Sequence, residues 1–170
     1  MSNLFHRRRS VRNYTDQFVE ENKITEIINA CMLAPSARNT KAWSFIVVRE
    51  REKIEKLSKM KVHSQFAKES NAIIVVCSEE WKYWIEDASV IGSYIYLQST
   101  NLGLGTCWIQ VRNSSTSYGE PAEKYIKEIL GIPDKIRVLC FFPIGYPAKE
   151  PQKHSLLTSD KKIMYEKWEI

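Results

Sequence analysis

The stretch AIIVVCSEEWKYWIEDASVIGSYIYLQSTNLGLGTCWIQV, residues 72–111, decides the architecture. Ala72 to Cys77 is apolar on both faces, the pattern of a central strand covered on two sides. Ser78 is placed to cap a following helix, with Glu79 and Glu80 meeting the positive end of its dipole. That helix is predicted to run to Asn101. Beyond Glu86 and Asp87 it is apolar almost all round, through Ala88, Val90, Ile91, Tyr94, Ile95, Tyr96 and Leu97. Such a helix is enclosed by protein on most sides. In a chain this small, part of the cover is expected from a second copy, so a homodimer is predicted. Gly103 is a helix stop, and Thr106 to Val111 reads as a short strand.

Working outward, residues 21–34 carry Ile24, Ile27, Ile28, Cys31 and Met32 at i, i+3, i+4, i+7 and i+8, the stripe of a helix packed on a core. Pro35 stops it. Trp43 to Val48 is aromatic and β-branched and reads as a strand, with a charged helix predicted over Arg51 to Met60. Tyr118 to Leu130 reads as a helix closed by Gly131 and Pro133. Ile136 to Ile144 reads as another central strand, and an extended tail follows from Gly145. With no repeat and no internal linker, residues 1–170 are predicted to form one α+β domain.

The 170 residues, 44% hydrophobic and 26% charged, suit an ordinary globular protein and exclude disordered and collagen-like classes. Cys31, Cys77, Cys107 and Cys140 each lie in an apolar run without a CxxC pair. That spacing argues against a zinc site or a secreted disulfide framework and for a reduced, cytoplasmic setting. The N-terminal MSNLFHRRRS lacks the apolar stretch of a signal peptide. The charge-free run from Ala88 to Val111 is long enough to cross a bilayer. Its serines, amides and glycines make a buried helix and strand the better reading, and no membrane partner is expected.

The net charge of +5 makes nucleic acid the first partner to weigh. Arg7, Arg8, Arg9 and Arg12 supply four of those five charges, however, and the remainder carries 21 basic against 20 acidic side chains. A nucleic-acid-binding protein using the Arg7–Arg12 cluster is therefore the alternative from another class, since phosphate-tracking proteins spread their charge over a face. HExxH, GxSxG and a dinucleotide glycine fingerprint are all missing. His6, His63 and His154 are too scattered to suggest a ligand set, with His6 and His63 expected at the surface.

Three segments remain. RRRSVR, residues 7–12, offers guanidiniums that fork onto phosphate oxygens. PSARNTKAW, residues 35–43, is a polar turn with small and amide side chains that could meet a polar ligand, or simply a helix stop. LGLGTCWIQ, residues 102–110, offers glycines and backbone amides where a flat ring could approach, or simply a helix terminator and a core strand.

Together, RRRSVRNYTDQ, APSARNTKAWSFIVV, EDASVIGSYIYLQSTNLGLGTCWI and FFPIGYPAKEP, in this order, resemble the FMN-dependent nitroreductase family over nearly the whole chain. The resemblance implies a mixed sheet between helices and an intertwined homodimer with two FMN sites at its interface. It implies that Arg8, Arg9, Ser10 and Arg12 hold the cofactor, with Arg8 at the phosphate and ribityl region. Arg12 is implied to lie near flavin N1 and O2, where a fixed cation stabilises charge left by hydride arriving at N5. Pro35, Ser36, Ala37 and Asn39 are implied to reach the flavin from the partner subunit. Gln110 and Val111 fall where a backbone amide meets N5, approached through Thr106, Cys107 and Trp108. Lys153, beside His154, is the tail cation available for the phosphate. Lys41 and Ala42 stand where the family often has Gln and Pro. The implied activity is reduction of nitroaromatics, quinones or similar small acceptors by NAD(P)H in alternating half-reactions, with no side chain acting as nucleophile. A specialised flavin enzyme of the same fold, such as a reductive dehalogenase, is the alternative. The short SEEWKYWIED link implies an open site whose mouth Trp81, Tyr83 and Trp84 either line or leave to pack the helix start.

Overall fold

The computed structural model describes residues 3–155 and 162–168. Its sheet begins with β1 (Trp43–Val48), which pairs antiparallel with β2 (Ala72–Glu79). Two very short strands follow in the chain, β3 (Gly105–Thr106) and β4 (Ile109–Gln110). Both pair antiparallel with β5 (Ile136–Gly145), which lies on the other side of β2. All named strands are thus antiparallel, and among the described residues the parallel pairing is the isolated bridge between Ser10 and Thr106.

Alternation along β2 explains its unbroken apolar run. Ala72, Ile74 and Val76 face one core cluster with residues of α2 (Glu21–Met32) and α4 (Trp84–Asn101). Ile73, Val75 and Cys77 face the other, with residues of α3 (Arg51–Ser58) and α5 (Ala122–Leu130). Helices therefore cover both faces, as the α+β reading expected. Ile91 and Ile95 of α4 are fully buried, each contributing roughly 1.5–3 kcal/mol of transfer free energy. Opposite the junction of Val76 and Cys77 the register skips Leu139, a β-bulge. The Leu139 carbonyl accepts from the N–H groups of both Val111 and Arg112, at 3.0 Å each, which fixes the exit of β4.

Several boundaries depart from the sequence reading. Ser78 caps no helix. It remains in β2, and its hydroxyl donates to the Ala42 and Glu79 carbonyls. Glu86 and Asp87, instead of Glu79 and Glu80, occupy the first turn of α4. Thr106 to Val111 is not one strand but two, separated at Cys107 and Trp108. The helix predicted from Tyr118 starts only at Ala122, after Pro121, and Tyr118 is exposed in the preceding turn. Two elements escaped the reading, α1 (Asn3–Arg7) and a 3-10 stretch over Val62–Glu69, both without a clear apolar period. Among the described residues no helix is long and apolar enough to cross a membrane.

Candidate functional site

The segment after α1 lies as a strap along the sheet edge. The Val11 N–H donates to the Thr106 carbonyl at 2.9 Å, and Thr15 N–H donates to the Tyr146 carbonyl at 2.9 Å. Tyr14, buried, sends its hydroxyl to the Val11 carbonyl at 2.8 Å. The strap thereby presents Arg8, Arg9, Ser10 and Arg12 beside β3 and β4.

Tyr96 of α4 ties this assembly together. Its hydroxyl accepts from the Trp108 N–H at 2.7 Å and bonds the Ser10 hydroxyl at 3.1 Å. The Arg8 guanidinium lies over its ring, 5.0 Å from the centroid, a cation–π contact. Burial raises the Tyr96 phenol above its ordinary value, so it stays a neutral hydrogen-bonding post. Trp108 in turn covers Gly92, where a Cβ would fall 2.1 Å from the indole. The Trp108 ring N–H donates to the Gln110 side chain at 2.8 Å.

Arg12, Lys61, His63, Phe66, Cys107, Trp108 and Gln110 line a cavity of about 200 Å³. The Arg12 guanidinium stands 5.9 Å from the Phe66 ring centroid. Lys61 donates to the Gln110 carbonyl at 2.8 Å and to the Ser114 hydroxyl. Burial lowers its pKa. Above the strap, one Arg8 N–H and one Arg9 N–H point at the two ring nitrogens of His154, at 3.1 and 3.0 Å.

Among the described residues no carboxylate forms an ion pair with Arg8, Arg9, Arg12 or Lys61. The Thr106 hydroxyl beside them is buried without a hydrogen-bond partner. Four cationic donors without an internal counter-ion, next to a cavity walled by aromatic rings and strand edges, fit an anionic cofactor with a planar ring.

The residues named from sequence fall into two groups. Arg8, Arg9, Ser10, Arg12, Thr106, Cys107, Trp108 and Gln110 come together here. Val111 lies behind them, fully buried, with its N–H already given to Leu139. Gly105, read as a place for a flat ring to approach, is instead covered by Val11 of the strap. Lys153 and its neighbour His154 are both exposed, and of the two it is His154 that engages the arginines. His6, far from it in sequence, holds the same tail residue: His154 N–H donates to the His6 carbonyl at 2.8 Å, and His6 Nδ1 lies 2.9 Å from the His154 carbonyl.

Pro35, Ser36, Ala37 and Asn39 are absent from the wall of the Arg12 cavity within one protomer. Their loop is rigidly built nonetheless. The Ala37 N–H donates to the buried Asp87 carboxylate at 2.8 Å, Lys41 N–H donates to the Ser36 hydroxyl, and Arg38, Asn39 and Lys41 all have positive φ. Trp84 packs in the core under the Arg137 guanidinium. Trp81 and Tyr83 meet edge to face, and Trp81 opens on a second cavity of about 420 Å³ shared with Thr40, Lys41 and Trp43. Of the three aromatic residues in the short link, Trp84 thus serves packing and Trp81 faces open space. Tyr96 and Lys61 were missed from sequence. The phenol's polar tip on an apolar helix was the available signal for Tyr96, and nothing in the pattern marked Lys61.

The fold and this site define an α+β protein with a cationic seat beside a cavity that has Phe66 and Trp108 in its wall. The chain belongs to the nitroreductase family, which matches residues 6–79 and 59–146, and it is an oxidoreductase of that family. An FMN-dependent nitroreductase from Clostridium difficile has the same fold, with a TM-score of 0.93, 39% identity and coverage of 99% of this chain and 100% of that one. A protein of Archaeoglobus fulgidus described as a putative NADH dehydrogenase/NAD(P)H nitroreductase is 34% identical over 97% of both chains. The FMN reductase [NAD(P)H] of Bacillus subtilis is 25% identical, over 89% of this chain and 68% of its own length.

Proposed function

We propose that this protein is an FMN-dependent NAD(P)H oxidoreductase that reduces nitroaromatics, quinones or similar small acceptors as a homodimer. The observation that carries the reading is the quartet Arg8, Arg9, Arg12 and Lys61, which among the described residues has no carboxylate partner, beside a strap fixed to β3. Bound FMN would supply the hydride-transfer chemistry between NAD(P)H and the acceptor. The chain's own residues bind and orient. Arg8, Arg9 and Ser10 take the phosphate and ribityl end, with Tyr96 holding Arg8 and Ser10 in place. Arg12 holds positive charge at the cavity wall, where it would stabilise negative charge on a bound ring.

The dimer is supported by Leu33, which is 81% exposed and lies two residues before the 35–39 loop. A partner covering Leu33 would bring Pro35, Ser36, Ala37 and Asn39 to its own cofactor cavity. Tyr165 and Trp168 add exposed apolar surface in the tail.

Titration of the purified protein with FMN, followed in the visible, tests the reading. Binding with bleaching by NADH or NADPH and recovery on adding an acceptor is expected. Protein that gains no flavin absorbance overturns it. In the same assay Arg12→Ala should weaken FMN by about tenfold or more, the loss of one charge-assisted bond of about 1.5–3 kcal/mol. Arg7→Ala should change little, since that guanidinium points away to the Thr100 carbonyl at 3.3 Å. Equal effects would mean a diffuse charge patch and no specific seat.

A further inference from the structure

The imidazole of His154 is placed between two obligate donors. Arg8 Nη2 aims an N–H at Nε2 from 3.1 Å, and Arg9 Nη1 aims one at Nδ1 from 3.0 Å. A neutral imidazole has one N–H and one free lone pair, so it accepts only one of these bonds. A protonated ring accepts neither. The cluster is therefore short of at least one acceptor, in a place where both guanidiniums converge.

The position of the ring is built by the fold. His154 and His6 of α1 exchange contacts in both directions, N–H to carbonyl at 2.8 Å and ring Nδ1 to carbonyl at 2.9 Å. The guanidinium of Arg8 is held from below by Tyr96. The titratable and charged groups around the ring are Arg8 and Arg9 from the strap, His6 from α1, Tyr96 from α4 and Lys153 next in the tail. Glu150 shares a more distant cavity wall with Arg9 and pairs with neither arginine.

We propose that His154 is itself a ligand of the cofactor phosphate, and that it takes up a proton from solvent when a phosphate monoester seats between Arg8 and Arg9. This rests on the FMN reading above and adds to it a proton-linked affinity. Phosphate oxygens supply the missing acceptors for both guanidiniums, and the ring, once protonated, turns from a contested acceptor into a donor. In the free protein the partial loss of water contact beside the arginines, and the positive charges of Arg9 and Arg8, hold His154 below its ordinary value. A phosphate carrying about −1.5 to −2 charges favours the imidazolium and raises it. A group whose pKa rises on binding takes up protons between its two values, so FMN binds more tightly as pH falls through that window. At most one proton is involved, and the dissociation constant rises by up to about tenfold per pH unit. Because the phosphate's own second pKa lies near 6, the linkage is read on the alkaline side of that value, where the phosphate stays dianionic.

The test is calorimetric titration of the apoprotein with FMN and with riboflavin, in buffers of different ionisation enthalpy. Wild type should take up a substantial fraction of a proton with FMN and none with riboflavin, and its FMN affinity should fall severalfold as pH rises. His154→Gln should bind FMN more weakly and without proton uptake. His154→Lys, permanently charged in this range, should restore tight binding that is flat with pH. Equal proton uptake in wild type and His154→Gln overturns the inference while leaving FMN binding intact. Uptake that is equal for riboflavin and FMN does the same, because the phosphate would not be its source. Failure to bind either flavin overturns the FMN reading together with this inference.

Discussion

Replacing Gly105 by alanine tests whether the strap and the sheet edge act as one device. Gly105 lies in β3 opposite Gly145 of β5, and its φ is outside the left-handed region, so the backbone accepts alanine. Space is what is lacking. A Cβ would stand 2.7 Å from Val11 Cβ and Cγ1 and 2.9 Å from Cγ2. Rotating Val11 offers no escape, because its Cβ is among the three atoms. Ordinary contact begins near 3.4 Å, so the strap must retreat by roughly 0.7 Å. A shift of that size away from β3 breaks the 2.9 Å bond from Val11 N–H to the Thr106 carbonyl. Overpacking costs about 1–3 kcal/mol of stability. The effect on cofactor should exceed the effect on folding, because Arg8, Arg9, Ser10 and Arg12 ride on the displaced segment. A drop in FMN affinity of about tenfold or more is expected, the worth of one charge-assisted hydrogen bond. Urea denaturation and fluorescence titration with FMN read the two quantities separately. Val11→Gly in the same chain removes all three clashing atoms and should restore much of the loss, a coupling of about 0.5–3 kcal/mol. A Gly105→Ala protein that binds FMN like wild type, or one that Val11→Gly does not improve, refutes the strap as the positioning element.

Two further outcomes come from titratable groups. Burial pushes Cys31 and Cys77 up to about 12 and raises Cys107 and, strongly, Cys140. A thiol reagent at about pH 8 should therefore label none of the four in native protein and all four in denaturant, and rapid native labelling would contradict the packing. At Glu123 burial pushes the carboxyl up, but the Arg137 fork at 2.9 and 3.0 Å and the Val138 N–H at 2.9 Å prevail and lower it. A carboxylate lowered in the fold stabilises above its unfolded value near 4.5 and loses that contribution as pH falls through the folded value. Glu123→Gln should cost about 1–3 kcal/mol near neutrality and flatten the acid limb of a urea-stability profile. Parallel profiles for the two proteins would refute that role.

The central strands and the buried helix were legible because local pattern and tertiary setting agree there. Ala72 to Val76 is apolar on both faces since two helical layers cover it, and Pro35 and Gly131 stop their helices by backbone chemistry alone. The boundary at Ser78 misled because its hydroxyl, a good cap in isolation, is used by the Ala42 carbonyl of the neighbouring β1 edge. Such a bond spans thirty-six positions and leaves no local trace. The split between β3 and β4 has the same origin, since Trp108 N–H leaves the ladder for the Tyr96 hydroxyl. At the site, the arginines stood out by type and spacing. Tyr96, Lys61 and the meeting of His6 with His154 depend on contacts across the whole chain, which periodicity does not encode.

The distribution of ion pairs separates the two readings of the arginine cluster. Elsewhere basic and acidic groups meet directly, as in Lys23–Glu20, Arg49–Glu21, Lys56–Glu52 and Arg137–Glu123. Around the strap, among the described residues, they do not, so Arg8, Arg9 and Arg12 repel one another there without a carboxylate between them. Any anion bound there relieves that repulsion, and by linkage a ligand at a hundred times its dissociation constant stabilises the fold by about 2.7 kcal/mol. A polyanion could supply the charge, but it needs cations set in a row along its backbone. Arg8 and Arg9 instead turn inward and converge on one imidazole, with Arg8 stacked on Tyr96. Convergent guanidiniums suit one compact anionic group better than an extended polyanion, and the cavity beside Arg12 has Phe66 and Trp108 in its wall, rings on which a planar group can pack.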